Sequence, residues 1–268
     1  MITVVTQLPK GIDTSVPHPA RVYDYWLGGK DNFEADRRAA EAGYKAFPGV
    51  LQSVRANRAF LARAIRYLVT EAGIRQFLDV GSGLPTASNT HEIAQQKAPE
   101  SRVVYVDNDP VAVLHARVML QSSPEGSTDF YQADARDPGF ILEQAAATLD
   151  FGEPVAVIIL GVLHFLHDDE QVAAITAAFS GALAAGSHLA ISHLASDIEP
   201  ETVARFVESM AENGLPQNAM RSREQVTGLF AGLELLAPGV VPVSRWRPDT
   251  DVEAGAVTVL WGGVARKR

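Results

Sequence analysis

Two glycines stand at alternate positions in Phe77-Leu78-Asp79-Val80-Gly81-Ser82-Gly83-Leu84-Pro85-Thr86, directly after an apolar run that contains an acid. An apolar strand that enters a glycine turn and then a helix lets backbone lie against a ligand with no Cβ in the way. Alone the pattern is weak, because many strand-to-helix turns carry glycines. Three further signals follow it. Val106-Asp107-Asn108-Asp109 ends the next apolar run in a carboxylate, where ribose hydroxyls could donate to it. Ala133-Asp134-Ala135 ends a third run, with Asp137 as an alternative acid, and Leu160-Gly161-Val162-Leu163-His164 ends a fourth. All four fall at carboxyl ends of expected strands, which is where open α/β sheets bind ligands.

The ligand class narrows by exclusion. Thr86 occupies the place of the third glycine of the dinucleotide fingerprint, and no Gly-Lys-Ser or Gly-Lys-Thr follows the turn as a phosphate loop requires. A carboxylate at Asp79 would repel a pyrophosphate but attract a sulfonium or an amino group. His164 has two readings: a general base with a titration range suited to neutral pH, or a satisfied histidine beneath a ligand. His167 and Asp168 begin a turn at the surface. His188 and His193 flank the expected fifth strand without partners at metal-ligand spacing, so no metal is expected.

The elements that must position these residues follow from periodicity. Residues 1–20 carry Pro9, Gly11, Pro17 and Pro19 and read as an irregular leader. From Pro19 to about Gly73, apolar residues recur every three or four positions (Leu51, Val54, Phe60, Ala64, Leu68), interrupted at Gly28-Gly29, Gly43 and Pro48-Gly49. That spacing predicts several short helices. Strand-length runs then alternate with helical stretches: strand 76–80, helix 85–97, strand 102–106, helix 110–120, strand 129–132, strand 155–160, helix 169–183 and strand 188–192. Asp109-Pro110 is an N-cap followed by proline at the first helical position. Residues 198–232 return to helical texture, with Val203, Phe206, Val207 and Met210 on one side. Val240 to Trp246 and Ala256 to Trp261 predict an antiparallel C-terminal hairpin on a sheet edge. The expected fold is α/β, doubly wound and mainly parallel, with a helical N-terminal extension.

Composition sets the outer bounds. The chain has 268 residues, 47% of them hydrophobic and 21% charged, with net charge −9 and no cysteine. That apolar content is normal for a packed protein and excludes general disorder. No cysteine means no disulfide, no thiolate metal site and no thiol nucleophile, which suits a reducing cytoplasm. The acidic balance argues against nucleic acid, and no apolar run reaches the ~20 residues that cross a bilayer. No motif specifies an oligomeric state.

Together the four strand ends resemble the class I S-adenosylmethionine-dependent methyltransferases, over about residues 76 to 194. The resemblance implies a Rossmann-like sheet and S-adenosylmethionine as cofactor. It places the methionine portion and ribose on Asp79, Gly81, Ser82 and Gly83, the ribose hydroxyls on Asp107 with Asn108 beside it, and the adenine amine near Asp134 and Ala135. Leu160 and Gly161 open a motif near the transferable methyl group. The sequence departs from the family pattern at Pro85. Residues Pro19 to Phe33, with Tyr23-Asp24-Tyr25-Trp26-Leu27-Gly28-Gly29-Lys30-Asp31-Asn32 at their centre, resemble the opening of one largely uncharacterised bacterial S-adenosyl methyltransferase family.

The resemblance implies transfer to an O, N or C atom of a small molecule. A non-catalytic S-adenosylmethionine-binding protein and a nicotinamide-dependent oxidoreductase on the same fold are the alternatives. Residues 1–73 would form a helical cap from which Tyr25 or Asn32 reaches the cofactor. Residues 74–268 would form the methyltransferase domain, with a helical insertion at about 196–232. Arg55, Arg58, Arg63 and Arg66 predict a solvated helix face, or else a site for an acidic group.

Overall fold

The structure is a computed structural model that describes residues 13–85, 88–119 and 121–268; Pro9, Gly11, Thr86 and Leu120, invoked above, lie outside them. Three helices come first: α1 (Pro19–Trp26), α2 (Glu34–Ala46) and α3 (Val50–Thr70). The alternating part follows as β1 (Gln76–Val80), α4 (Thr90–Lys97), β2 (Arg102–Asp107), α5 (Pro110–Met119), β3 (Ser127–Gln132), α6 (Pro138–Ala145), β4 (Ala156–Leu160), α7 (Asp169–Ala182) and β5 (His188–Leu194). The chain then forms α8 (Pro200–Glu212), α9 (Arg223–Gly228), β6 (Glu234–Leu235), β7 (Val241–Pro242), α10 (Asp251–Ala254) and β8 (Leu260–Arg266).

Strand order is β3-β2-β1-β4-β5-β8-β6, with β7 also on β8. The first five strands are mutually parallel, and β8 runs antiparallel to β5. Order reverses between β1 and β4, the position where a crevice opens above the strand ends. Alternate residues face opposite layers. Phe77, Val103, Tyr105 and Ile158 pack under α2, α3 and α8. Leu78, Val104, Val106, Val157 and Ile159 pack on the opposite side with α6, α7 and α9. Burial on both faces explains why these strands read as continuous apolar runs.

The expected elements shift in four places. The helix expected from Pro85 begins at Thr90 instead, because Glu92 reaches back to accept the Asn89 N–H at 2.8 Å and fixes the start there. The strand expected over 240–246 is cut to Val241–Pro242, since Pro242 has no N–H to continue a ladder, and Val243–Arg245 form a 3₁₀ turn. The final strand slides from 256–261 to 260–266 and includes Gly262-Gly263. A Cβ at Gly262 would meet Val243 Cγ1 at 2.7 Å, so glycine here reflects close packing rather than a turn. β8 also lies inside the sheet, between β5 and β6, although its pairing with β7 is antiparallel as expected.

The arginine stripe is not a solvated face. Arg63 is buried in α3 and donates to the Trp246 and Val243 carbonyls at 2.9 and 2.7 Å and to Glu253 at 3.0 Å. Arg66 pairs with Asp249, Arg58 donates to the Ser88 carbonyl at 2.8 Å, and Arg55 is exposed. Among the described residues no helix is long and apolar enough to cross a membrane.

Candidate active site

A cavity of about 750 Å³ opens at the carboxyl ends of β1 to β4, at the reversal of strand order. Its lining includes Asp79, Gly81, Ser82, Gly83, Asp107, Asn108, Asp134, Ala135, Leu160, Gly161 and His164. The four strand ends singled out from sequence therefore meet in one place.

The glycine turn has two distinct requirements. Gly81 has φ +73°, and a Cβ on it would lie 2.2 Å from Val162 Cγ2. The room a side chain on Gly81 would need is thus filled by Val162 after β4, while the Gly81 backbone still lines the cavity. Gly83, at φ +69°, has nothing near its missing Cβ and gives its N–H to Asp107 Oδ2 at 2.7 Å. Asp107 Oδ1 accepts the Asp109 N–H at 2.9 Å, and Asp109 in turn caps α5 through Val111 N at 2.9 Å. The two acids divide the work: Asp109 caps the helix, and Asp107 ties the end of β2 to the glycine turn.

Burial pushes the Asp107 carboxyl up to about 6, against the lowering effect of the Asp109 and Gly83 N–H groups. Asp79 is likewise pushed up to about 6 by burial, opposed by the Thr90 hydroxyl that donates to it at 2.6 Å and by the nearby charge of Arg58. Asp134 moves the other way. Arg136 donates to both its oxygens, at 2.9 and 2.5 Å, and holds the carboxyl below its usual range. Asp137, the alternative acid, accepts the Phe140 N–H at 3.1 Å and caps α6, a helix not anticipated from sequence.

His164 sits in the 3₁₀ turn Leu163–Phe165, just past β4. Burial lowers its pKa to about 3, with His193 and Arg221 adding to the effect, so its imidazole is neutral. The turn is pinned by buried Arg221, which donates to the Leu163 and Leu166 carbonyls at 3.3 and 3.0 Å, to Asp169 at 2.9 Å and to His193 Nε2 at 2.8 Å. An arginine can only donate, so His193 Nε2 accepts and its Nδ1–H is left to the Leu194 carbonyl at 2.9 Å. His193 thus lies within β5 rather than flanking it.

The N-terminal helices roof the cavity with residues other than those expected. Tyr25 is outside the lining and its hydroxyl lies 3.3 Å from Glu41 Oε1. Asn32 is also outside; it donates to Asp24 Oδ2 at 2.9 Å and the Gly29 carbonyl at 3.1 Å, bracing the turn after α1. Tyr23 and Trp26 line the cavity instead. At about 100° per residue, Tyr25 projects roughly 200° around the helix from Tyr23, so both cannot face the same space. Asn57, Arg58, Phe206 and Met210 also line it. Asn57 had a readable signal, a lone amide on the apolar stripe Val54–Leu61 of α3. The other end of α1 is clasped to the end of β2: His18 Nδ1 and Arg21 Nε lie 3.2 and 3.4 Å from Asp109 Oδ2.

Comparison with known proteins agrees with this geometry. The family described as S-adenosyl methyltransferase matches residues 5–268. A crystal structure of a DUF574-family protein from Streptomyces avermitilis is 41% identical, covers 96% of this chain and 99% of that chain, and superposes with TM-score 0.91. A crystal structure from Thermobifida fusca, of a protein classed with the methyltransferases, is also 41% identical, with 98% and 99% covered and TM-score 0.90. The plantazolicin methyltransferase in complex with SAH shares the fold at 11% identity, with 93% and 95% covered and TM-score 0.55. No curated protein matches the chain. With its doubly wound sheet and a match from residue 5 to 268, the chain belongs to the S-adenosyl methyltransferase family, whose cofactor is S-adenosylmethionine.

Proposed function

We propose that this methyltransferase moves the methyl group of S-adenosylmethionine to a small molecule held in the cavity above β4. The observation that carries the reading is the convergence of four strand ends on one cavity, with two buried carboxyls, Asp79 and Asp107, on one side of it. The residues fit the cofactor. Ser82 Oγ is buried without a hydrogen-bond partner, and Gly83 presents an open side. Buried polar atoms without partners are uncommon in a native fold and suit a polar ligand.

When bound, the cofactor supplies an electrophilic methyl carbon on a positively charged sulfur. Asp107 and Asn108 would hold the ribose hydroxyls, Asp79 and the turn Gly81–Gly83 the methionine portion, and Asp134 with Ala135 the adenine. Leu160 and Gly161 would border the methyl group. The remaining protein contribution is positioning and exclusion of water, which suffice for an in-line displacement. Residues 1–73 act as the cap and residues 74–268 as the transfer domain, whose 196–232 helices give the cavity Phe206 and Met210.

Isothermal titration with S-adenosylmethionine and its demethylated product tests this on the parent and on Asp107→Ala. Micromolar binding that is lost in the folded variant supports the site. Equal binding by both proteins would remove Asp107 from it.

A further inference from the structure

The cavity has two chemically different halves. Its acids, Asp79, Asp107 and Asp134, stand at the ends of β1 to β3, and its two arginines stand with them: Arg58 beside Asp79, Arg136 on Asp134. The half above β4, β5 and β8 is walled by side chains such as Trp26, Val54, Phe206, Met210, Leu215 and Leu260. Among the described residues its ionisable groups are Tyr23 and His164, and burial raises the pKa of the first and lowers that of the second.

One amide interrupts that apolar wall. Asn57 is 4% exposed, and its Nδ2 donates to the Tyr23 hydroxyl at 3.2 Å. The Tyr23 hydroxyl has one proton, which goes to the Val54 carbonyl at 3.1 Å, so toward Asn57 it can only accept. That fixes the amide's orientation and leaves Asn57 Oδ1, buried and unpartnered, as an acceptor. His164 stands beside the same glycine as Asn57: a Cβ at Gly161 would be 3.7 Å from both Asn57 Nδ2 and His164 Cε1. The His164 Nδ1 is also buried without a partner. These groups border the end of β4, where the proposed function puts the methyl group.

Resting on that function, the geometry points to an uncharged, largely apolar methyl acceptor that presents an O–H or N–H to Asn57, with Tyr23 as the residue that positions the amide. As the new O–C or N–C bond forms, the methyl C–S bond breaks with its electron pair left on sulfur, and the acceptor's O–H or N–H proton leaves to water. A cationic acceptor would find no carboxylate in this half, and an anionic one would meet an apolar wall, with Arg58, whose charge reaches Tyr23, held on the Ser88 carbonyl on the acid side. An acceptor without a donor would leave Asn57 Oδ1 unpaired, which selects against it.

Calorimetric titration at pH 7.5 with the demethylated cofactor present tests the assignment. The probes are 2-naphthol, 2-methoxynaphthalene, naphthalene-2-carboxylate, indole and 1-methylindole. The expected result is 2-naphthol about tenfold tighter than its methyl ether, the effect of about one buried hydrogen bond. The carboxylate should bind weakest, and the indole pair reads N–H recognition separately. Asn57→Ala should bring the naphthol-to-ether ratio near one, and Tyr23→Phe, which frees the amide to turn its Nδ2 toward the ligand, should lower it several-fold. Asn57→Leu replaces Asn57→Ala if the latter does not fold.

Tightest binding by the carboxylate, donor-to-ether ratios near one in the parent, or an unchanged ratio in a folded Asn57 variant would overturn the assignment. So would binding of no probe. S-adenosylmethionine affinity is measured on the same preparations: its absence sinks the proposed function itself, whereas intact cofactor binding with a failed probe series sinks only the acceptor class.

Discussion

Taking the pH from 8 to 5 changes the charge of two carboxyls beside the glycine turn together. Asp79 and Asp107 both titrate at about 6, because burial disfavours their ionised forms. At pH 8 such a group is about 1% protonated and at pH 5 about 90%. A sulfonium and an ammonium favour the ionised forms, so binding must expel any proton present. The apparent affinity for S-adenosylmethionine then falls about tenfold between pH 8 and 5 if one group must ionise, and about 100-fold, near 2.7 kcal/mol, if both must. Two of the neighbouring histidines, His164 and His193, lowered to about 3 and about 4, stay neutral throughout. Calorimetry at pH 6 in two buffers of different ionisation enthalpy should find about one proton released per cofactor, half from each group. Asp107→Asn should halve that release and reduce the pH dependence to about tenfold. Affinity that varies less than threefold across the range, or binding without proton release, refutes the argument.

The same two groups act on stability with the opposite sign. A carboxyl raised in the fold contributes most below its unfolded value near 4, and that contribution is lost as pH rises through 6, so these two alone favour pH 5. His164, His188 and His193, lowered to about 3, 4 and 4, lose stability as pH falls below their unfolded value near 6.5 and outweigh them. The ligand-free protein should therefore melt lower at pH 5 than at pH 8, and the pair Asp79→Asn and Asp107→Asn should widen the difference. Arg221→Met removes the donors to Asp169, His193 and two carbonyls, and should cost about 3–5 kcal/mol, read as a drop in Tm of roughly 6–15 °C. Gly81→Ala should cost about 1–3 kcal/mol from its clash with Val162 and its positive φ; adding Val162→Ala relieves the clash but keeps about 1 kcal/mol of backbone strain, which a double-mutant cycle by thermal melting resolves.

The floor of the site was legible because parallel strands buried on both faces must be apolar throughout, so their ends stand out as the first acids and glycines. Asp107 and Asp134 could be found from that alone. The roof obeys a different rule. Whether Tyr23 or Tyr25 faces the cavity depends on how α1 is rotated, and the buried contacts of His18 and Arg21 with Asp109 and Asp36 set that rotation. Those contacts join residues far apart in sequence and leave no local pattern. Arg63 misleads for the same reason: its partners are carbonyls at Val243 and Trp246, and a carbonyl is invisible in a residue list. Gly262 and Gly263 hide a strand, because glycine weakens a β pattern even where tight packing demands it.

The partners of Arg63 have a consequence for how the protein is made. Its guanidinium and the carbonyls it holds are 183 and 180 residues apart in the chain. At about 5–20 residues per second, a ribosome needs on the order of ten to forty seconds to deliver the second half of that contact. Through that interval α3 must wait with a charge and the ring of Phe60 uncovered, because Trp246, which closes against Phe60 at 5.5 Å, has not yet been made. The layer over this face of the sheet is completed only after nearly the whole described chain has been translated, and the nascent α3 is the segment a chaperone would meet.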